Sequence, residues 1–304
     1  MEETHARDNR REDAGTEDNR REDAGAEDSR RRDIPREIQE NLDEIEAWHG
    51  VRILLAVESG SRSWGFASPD SDYDVRFIYL RPRKDYLRID PPRDVIEWRL
   101  DEVLDINGWD LKKALSAFGK GNVSAMEWAG SPIIYRKAPE WDHIWKVSRS
   151  FFSEKAALIH YYGVARSTLE HDLTGETVRY KKYFYALRPL LCCRWIERYH
   201  EMPPVPFETL LTLFDGGGKR TDGAGRADGS ALSPRLLEGI RELLARKAVT
   251  EEKESNPHMP VIIDFIREEC DRQKLLSAAA PEDRSKDYSP LNAVFRKTLD
   301  VMER

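Results

Sequence analysis

The chain has 304 residues, with 56 Asp and Glu against 49 Lys and Arg, a formal net charge of −7 and 39% hydrophobic residues. No stretch approaches the roughly 18 to 20 uninterrupted apolar residues of a spanning helix, so the sequence excludes a membrane-spanning protein. Three cysteines, two of them adjacent at Cys192 and Cys193, exclude a disulfide framework and a zinc site of the CxxC type. Because the N-terminus has no apolar stretch for a signal peptide, we expect a cytoplasmic location.

The N-terminus carries a ten-residue repeat. The run Asp8–Gly15 recurs as Asp18–Gly25 and decays between Asp28 and Asp33. It contains no large apolar residue whose burial could offset the entropy lost on ordering. We therefore predict that residues 1–33 form a disordered tail. The charge of the remaining chain is too near balance to predict or exclude a nucleic-acid partner.

Ordered structure is expected to begin near Ile34. An amphipathic helix is predicted from apolar residues at helical spacing, namely Ile38, Leu42, Ile45 and Trp48. A short buried strand is predicted to follow over residues 51–57. A second strand is predicted by the alternation of Val75, Phe77 and Tyr79, which places these three side chains on one face.

A glycine-serine turn and an aspartate pair lie between and at the start of these strands. Gly60 permits close backbone approach, the Ser61 hydroxyl and nearby amides can hold a triphosphate, and Arg62 supplies a positive fork. Since strand side chains alternate, Asp72 and Asp74 should point to the same side, about 7 Å apart at the backbone. Such carboxylates can bind Mg²⁺, or Mn²⁺ in its place. The plainer reading is a simple turn beside two solvated aspartates, which leaves the co-occurrence of turn and pair unexplained.

With these residues the chain resembles the DNA polymerase β-like nucleotidyltransferase superfamily, whose signature is a Gly-Ser turn, an acid-x-acid pair on a strand and a third carboxylate on a later strand. More narrowly, residues 60–76 look like the bacterial and phage nucleotidyltransferases associated with RNA repair, as do residues 104–113, 127–135 and 181–191. We accordingly expect an α+β fold. Residues 34–140 should form a nucleotidyltransferase domain with a small mixed sheet flanked by helices. Residues 141–304 should form a mainly α-helical domain with a flexible loop at 215–230.

Two acids compete for the role of third carboxylate. The segments 95–100 and 103–106 can form a hairpin, and each offers one acid between apolar residues, Glu97 and Asp105 respectively. We prefer Asp105, because it is expected at the end of a strand just before a helix over residues 109–118. Glu97 is kept as the reserve candidate.

The second half of the chain contains two predicted helices, over residues 151–171 and 178–199. The later helix is basic, and Lys181, Tyr185 and Arg188 fall on one helical face. Opposite the carboxylates, this face could neutralise the β and γ phosphates of a nucleotide, as the resemblance also implies. The alternative is a solvated basic face with no ligand.

The function expected from these features is metal-dependent nucleotidyl transfer. Asp72, Asp74 and Asp105 would hold the metal and act in catalysis, and Gly60, Ser61, Arg62, Lys181, Tyr185 and Arg188 would bind a nucleoside triphosphate. The acceptor is left open between an RNA end, a protein hydroxyl and a small molecule. A second hypothesis is a catalytically silent sensor that binds a nucleotide or RNA.

Overall fold

The computed structural model describes residues 33–68, 71–214, 233–249 and 254–302. The tail predicted at 1–33, apart from Asp33, and the loop predicted at 215–230 lie outside the described residues. The chain divides into one unit that ends at Glu44 and a second unit, Ile45–Arg304. The first unit contains the start of helix α1, Ile34–His49, where Arg36 and Glu40 form an ion pair one turn apart.

The predicted strands are present and form one mixed sheet. In spatial order the described strands run β3-β4-β2-β1-β5. Their bounds are β1 Arg52–Glu58, β2 Tyr73–Leu80, β3 Val95–Leu100, β4 Leu104–Asp110 and β5 Ile134–Lys137. Strands β2 and β4 pair in parallel, whereas the other pairings are antiparallel. The second predicted strand is confirmed as β2; Val75, Phe77 and Tyr79 are fully buried, but so are Ile78 and Leu80, so that burial does not alternate at its end.

Helices surround this sheet and make up most of the second half of the chain, as expected for an α+β fold. Those after α1 are α2 Gly60–Trp64, α3 Arg83–Tyr86, α4 Leu111–Gly119, α5 Val123–Ala129, α6 Trp141–Ser148, α7 Glu154–Asp172, α8 Tyr180–Tyr199, α9 Phe207–Leu210, α10 Pro234–Val249, α11 Pro260–Ala279 and α12 Ser289–Met302. A two-stranded pair, β6 Thr177–Val178 and β7 Asn256–Pro257, joins the loops before α8 and α11. None of the helices in the described ranges combines the length and apolar character needed to cross a bilayer.

Two apolar clusters form the core of the second unit. One lies among helices α7, α8, α10 and α11, and the other lies on the face of the sheet that carries α4 and α5. The sheet cluster also contains Trp141, Ile144 and Leu291, so α6 and α12 share a core with the strands. The domain boundary predicted at residue 140 stays a prediction, and residues on both sides of it contribute to this cluster.

Two local expectations were wrong. Strand β4 continues to Asp110, and helix α4 begins only at Leu111, because the Asp110 carboxylate accepts a hydrogen bond from the Lys112 amide and caps the helix there. Asp105 is therefore the second residue of a strand and does not precede a helix directly. Trp48, which helical spacing placed on the apolar side of α1, is 79% exposed.

Candidate active site

The carboxylate of Asp74 lies against the backbone of Gly60. An ideal Cβ built on Gly60 would be 2.3 Å from Oδ2 of Asp74, so any other residue here would displace the Asp74 carboxylate. Gly60 also has a φ of +61°, in the left-handed region that favours glycine. The backbone of the turn is fixed to the strand as well, because the Ser59 amide donates to the Asp74 carbonyl at 2.8 Å. The Gly60 turn and Asp74 thus pack directly against each other.

Asp74 and Asp105 are held together by one arginine. They occupy the same register position on the parallel strands β2 and β4. Nη2 of Arg76 donates to Oδ1 of Asp74 at 3.1 Å and to Oδ2 of Asp105 at 2.7 Å. Arg76 takes one oxygen from each carboxylate, which leaves Oδ2 of Asp74 facing Gly60 and Oδ1 of Asp105 near the Asn107 amide, 3.4 Å away.

Asp72 lies just before strand β2, and its carboxylate is exposed. Its charge still reaches Asp74. Burial raises the pKa of the Asp74 carboxyl, Arg76 lowers it, and Asp72 and Asp105 raise it further, so that the net direction is upward. The three acids therefore interact electrostatically, although Arg76 pairs with Asp74 and Asp105 and not with Asp72.

Arg62 is directed at the chain that leads into β2. Its guanidinium donates to the carbonyls of Ser71 and Asp72 and lies 3.6 Å from the centre of the Tyr73 ring. These contacts fix the approach of Asp72 to the turn. Arg62 therefore links the turn to the segment that carries the aspartate pair. Ser61 lies between Gly60 and Arg62 in the same short helix, α2.

Glu58 is a buried carboxylate that was not assigned a role from the sequence. It ends strand β1 and is fully buried. Its Oε1 accepts from the Asp74 amide at 2.8 Å, and its Oε2 accepts from the Tyr135 hydroxyl. Burial raises its pKa, and although both hydrogen bonds oppose that shift, the net direction is upward. Glu58 therefore fixes the backbone of Asp74, and an acid at the end of the apolar run over residues 53–57 was the available signal in the sequence.

Asp74 and Asp105 are suited to a divalent cation that is also held by substrate phosphates. Within the described ranges, no set of three His, Cys, Asp or Glu side chains lies close enough to bind a metal ion. Mg²⁺, however, is commonly held by one or two carboxylates together with substrate phosphates. Asp74 and Asp105 already converge on a common positive charge, and the second oxygen of each has no bond to Arg76; among the described residues, that of Asp105 accepts only the long bond from Asn107. The residues present thus fit Mg²⁺ that arrives with a nucleotide, rather than a cage preformed by protein ligands.

Of the three residues proposed on helix α8, two lie beside the turn. Trp64, the last residue of α2, contacts the Tyr185 ring edge-on at 6.0 Å, and the Arg188 guanidinium lies 4.7 Å from the Trp64 ring centre. Arg188 is only 3% exposed, and its nitrogens donate to Glu127 and to the Val205 carbonyl. Lys181 is half-buried, one helical turn before Tyr185.

Comparison with known proteins identifies the family. Residues 34–297 match the model of RlaP, the RNA repair pathway DNA polymerase beta family. The chain belongs to this family. It is 36% identical over 266 residues to the uncharacterized protein YcgL of Bacillus subtilis (strain 168), an alignment that covers 87% of this chain and 96% of the relative. A solved nucleotidyltransferase-like protein from Exiguobacterium sibiricum is 13% identical over 86% of this chain and 80% of that chain, with a TM-score of 0.26.

Membership of the RlaP family indicates a polymerase β-like nucleotidyltransferase, and the structure contains a five-stranded mixed sheet. The two candidates for the third carboxylate, Asp105 and Glu97, lie in different surroundings. Asp105 lies beside Asp74, whereas the side chain of Glu97 is 73% exposed on the neighbouring strand and has Arg93 3.9 Å away. Geometry therefore favours Asp105, although the sequence argument for it, its place at the end of a strand, was wrong.

Proposed function

We propose that this protein transfers a nucleoside monophosphate from a nucleoside triphosphate to a hydroxyl acceptor and releases pyrophosphate. The observation that carries the proposal is the contact of the Asp74 carboxylate with Gly60, since it joins the acid pair to the phosphate-binding turn. Asp72, Asp74 and Asp105 would hold Mg²⁺ or Mn²⁺. When bound, the ion neutralises phosphate charge and lowers the pKa of the acceptor hydroxyl.

The chain's own residues would position the reactants. Gly60 lets the phosphates approach the backbone closely, and Ser61 offers a hydroxyl beside it. Glu58 holds the Asp74 amide, while Arg76 keeps Asp74 and Asp105 at a fixed separation. Preorganised charges of this kind account for much of the rate enhancement in phosphoryl-type transfer.

An RNA end is the acceptor that we propose, and the family description supports it, since the matching model is named for an RNA repair pathway. The reaction attaches the nucleotide through its α phosphorus to a ribose hydroxyl of the RNA. Incubation with Mg²⁺ and each α-labelled nucleoside triphosphate tests this proposal, with RNA, the protein itself and small hydroxyl compounds as acceptors. We expect label on the RNA, whereas label on the protein would replace the acceptor and leave the chemistry in place.

A catalytically silent sensor is the second candidate, and one observation favours it. Arg76 already forms an ion pair with both Asp74 and Asp105, so part of their mutual repulsion is offset without a metal ion. A sensor would bind nucleotide without Mg²⁺, and Asp72→Asn would leave its affinity unchanged. Calorimetry with a nonhydrolysable triphosphate distinguishes the two, since the transferase requires Mg²⁺ and depends on Asp72.

A further inference from the structure

A cavity of about 370 Å³ opens beside the candidate active site. It is lined by Ser59 and Trp64 of the turn and by residues of helices α5, α7 and α8. Ser59 is the residue whose amide is bound to Asp74, and Trp64 ends the short helix that begins at Gly60. Gly60 and Trp64 lie about 6 Å apart along the axis of this helix. A ligand with one part on the turn is therefore close enough to place another part in the cavity.

Aromatic side chains form much of the cavity wall. Trp64, Trp128 and Tyr185 all line it. Their rings are held by neighbours, since Trp128 packs against Trp109 at 4.4 Å between centroids and Trp64 carries the Arg188 guanidinium on its face. Flat rings that are already fixed form a stacking surface at low entropic cost. The cavity therefore suits a planar aromatic ligand.

The cavity is poorly suited to phosphate. Its arginine, Arg188, is buried, and Glu127 neutralises it through a 2.7 Å contact. Burial by itself lowers the pKa of Arg188, but the Glu127 charge raises it, and the net direction is upward, so the guanidinium stays charged within the pair. Its nitrogens donate to Glu127 and Val205, and little of its charge is left for an anion.

Glu127 lines the cavity and supplies its carboxylate. Its Oε1 accepts from Nη1 of Arg188 and from the Tyr161 hydroxyl, at 2.7 and 2.8 Å. Its Oε2 accepts no hydrogen bond from the residues that the structure describes, and Glu127 lines the cavity. A carboxylate oxygen in this position attracts an N–H group and repels a carbonyl oxygen.

We propose that this cavity binds the nucleobase of the triphosphate and that Glu127 selects bases with an exocyclic amino group over uracil. The inference rests on the proposed function, because it seats the base of the same nucleotide whose phosphates contact the turn. Adenine, guanine and cytosine each carry an amine that can donate to Oε2. Uracil has two carbonyl oxygens beside its single N–H, so it meets the carboxylate unfavourably.

Calorimetry on the full-length protein tests the proposal with nontransferable α,β-methylene nucleoside triphosphates in MgCl₂. Three matched pairs differ by the amine: the cytidine and uridine compounds, the guanosine and inosine compounds, and the adenosine and purine riboside compounds. We expect that at least one of the amino-bearing compounds binds about tenfold more tightly than its partner, as for one charge-assisted hydrogen bond. Inorganic tripolyphosphate, which lacks a base, should bind more weakly than that compound.

The variant Glu127→Gln assigns the effect to one side chain. Its amide oxygen can still accept from Arg188 and Tyr161, while its N–H₂ faces the cavity and can donate to a uracil carbonyl. We expect the preference within every pair that the wild type discriminates to fall to about twofold or less, with the control Glu170→Gln, an exposed residue of α7, behaving as the wild type. If Glu127→Gln fails to fold by circular dichroism, the wild-type pairs alone decide.

The outcomes separate the inference from the proposed function. Equal affinity within all three pairs, or equal affinity for tripolyphosphate, overturns the base site while nucleotidyl transfer, measured separately, can persist. A preference that survives in folded Glu127→Gln overturns the role of Glu127. Binding of none of these compounds by the wild type overturns the proposed function together with the base site.

Discussion

Asp74 and Asp105 lie side by side on parallel strands and share one nitrogen of Arg76. Two carboxylates in this arrangement repel each other unless a positive charge lies between them. Arg76 supplies that charge and takes only one oxygen of each acid. The repulsion within the pair is thus reduced in the free protein, and one oxygen of each acid has no bond to Arg76.

The glycine at the turn is expected to be necessary for a steric reason that can be isolated. Gly50 and Gly60 have nearly the same φ, +59° and +61°, but an added Cβ meets nothing within 4 Å at Gly50 and meets Oδ2 of Asp74 at Gly60. Gly50→Ala should lower the free energy of unfolding by about 1 kcal/mol, the cost of a left-handed conformation alone. Gly60→Ala should lower it by about 2 to 3 kcal/mol and should also reduce transfer activity more than tenfold. Urea denaturation gives the first quantity, and equal effects of the two substitutions would contradict the packing argument.

The third carboxylate can be settled by one matched pair of variants. Asp105→Asn should reduce kcat by more than about a hundredfold, since even changes behind metal ligands commonly cost ten- to a hundredfold. Glu97→Gln, on the exposed edge strand, should leave kcat within about twofold of the wild type. Steady-state rates of labelled transfer provide the measurement. The reverse pattern would assign the role to Glu97.

The buried ion pair of Arg188 and Glu127 should dominate the stability of this region. Arg188→Met leaves the Glu127 carboxylate, which is only 16% exposed, without its cation, so the free energy of unfolding should fall by about 3 kcal/mol. Arg166→Met, which removes a 54% exposed partner of Glu170, should change it by less than about 0.5 kcal/mol. Combining Arg188→Met with Glu127→Leu should restore part of the loss, because the uncompensated charge is then absent. A double variant that is no better than the sum of the two single losses would show that charge compensation is not the cause.

The pH dependence of stability should carry the signature of Glu58. Because burial raises its pKa, the folded protein holds a proton at Glu58 more readily than the unfolded chain does. Between pH 4.5 and the higher folded pKa, stability must therefore fall as the pH rises, and the loss is complete above the folded pKa. Glu58→Gln removes this loss, so its Tm relative to the wild type should increase with pH through that window and then level off. A difference in Tm that is constant from pH 4 to pH 7 would contradict the assignment.

Local patterns in the sequence were sufficient to predict the strands and the turn. Val75, Phe77 and Tyr79 alternate, and alternation is a property of the strand itself. The proximity of Asp105 to Asp74 is different, because it depends on the parallel pairing of β2 with β4 across thirty residues of chain. No local pattern specifies that pairing, which explains why Asp105 was chosen for a reason that the structure does not support.

The neighbours of the acids were harder to find. Arg76 lies two residues after Asp74, so the period of two already placed both on one face of β2, and this signal was available. Glu58 and Glu127 contact their partners across 16 and 61 residues. Their hydrogen bonds exist only once the sheet and helices have packed, so the sequence could mark Glu58 as an acid at the end of a strand but could not show which groups Glu58 and Glu127 contact.

The central claim is that Asp74, seated on the Gly60 turn, supports nucleotidyl transfer, and pyrophosphate release tests it most directly. With Mg²⁺, a nucleoside triphosphate and an RNA acceptor, we expect the wild type to release one pyrophosphate for each nucleotide that is attached. The control Asp142→Asn, 73% exposed beside Lys137, should match the wild type, and Asp74→Asn should release pyrophosphate more than about a hundredfold more slowly. Undiminished release by Asp74→Asn, or release by neither wild type nor control with any acceptor, would contradict the account.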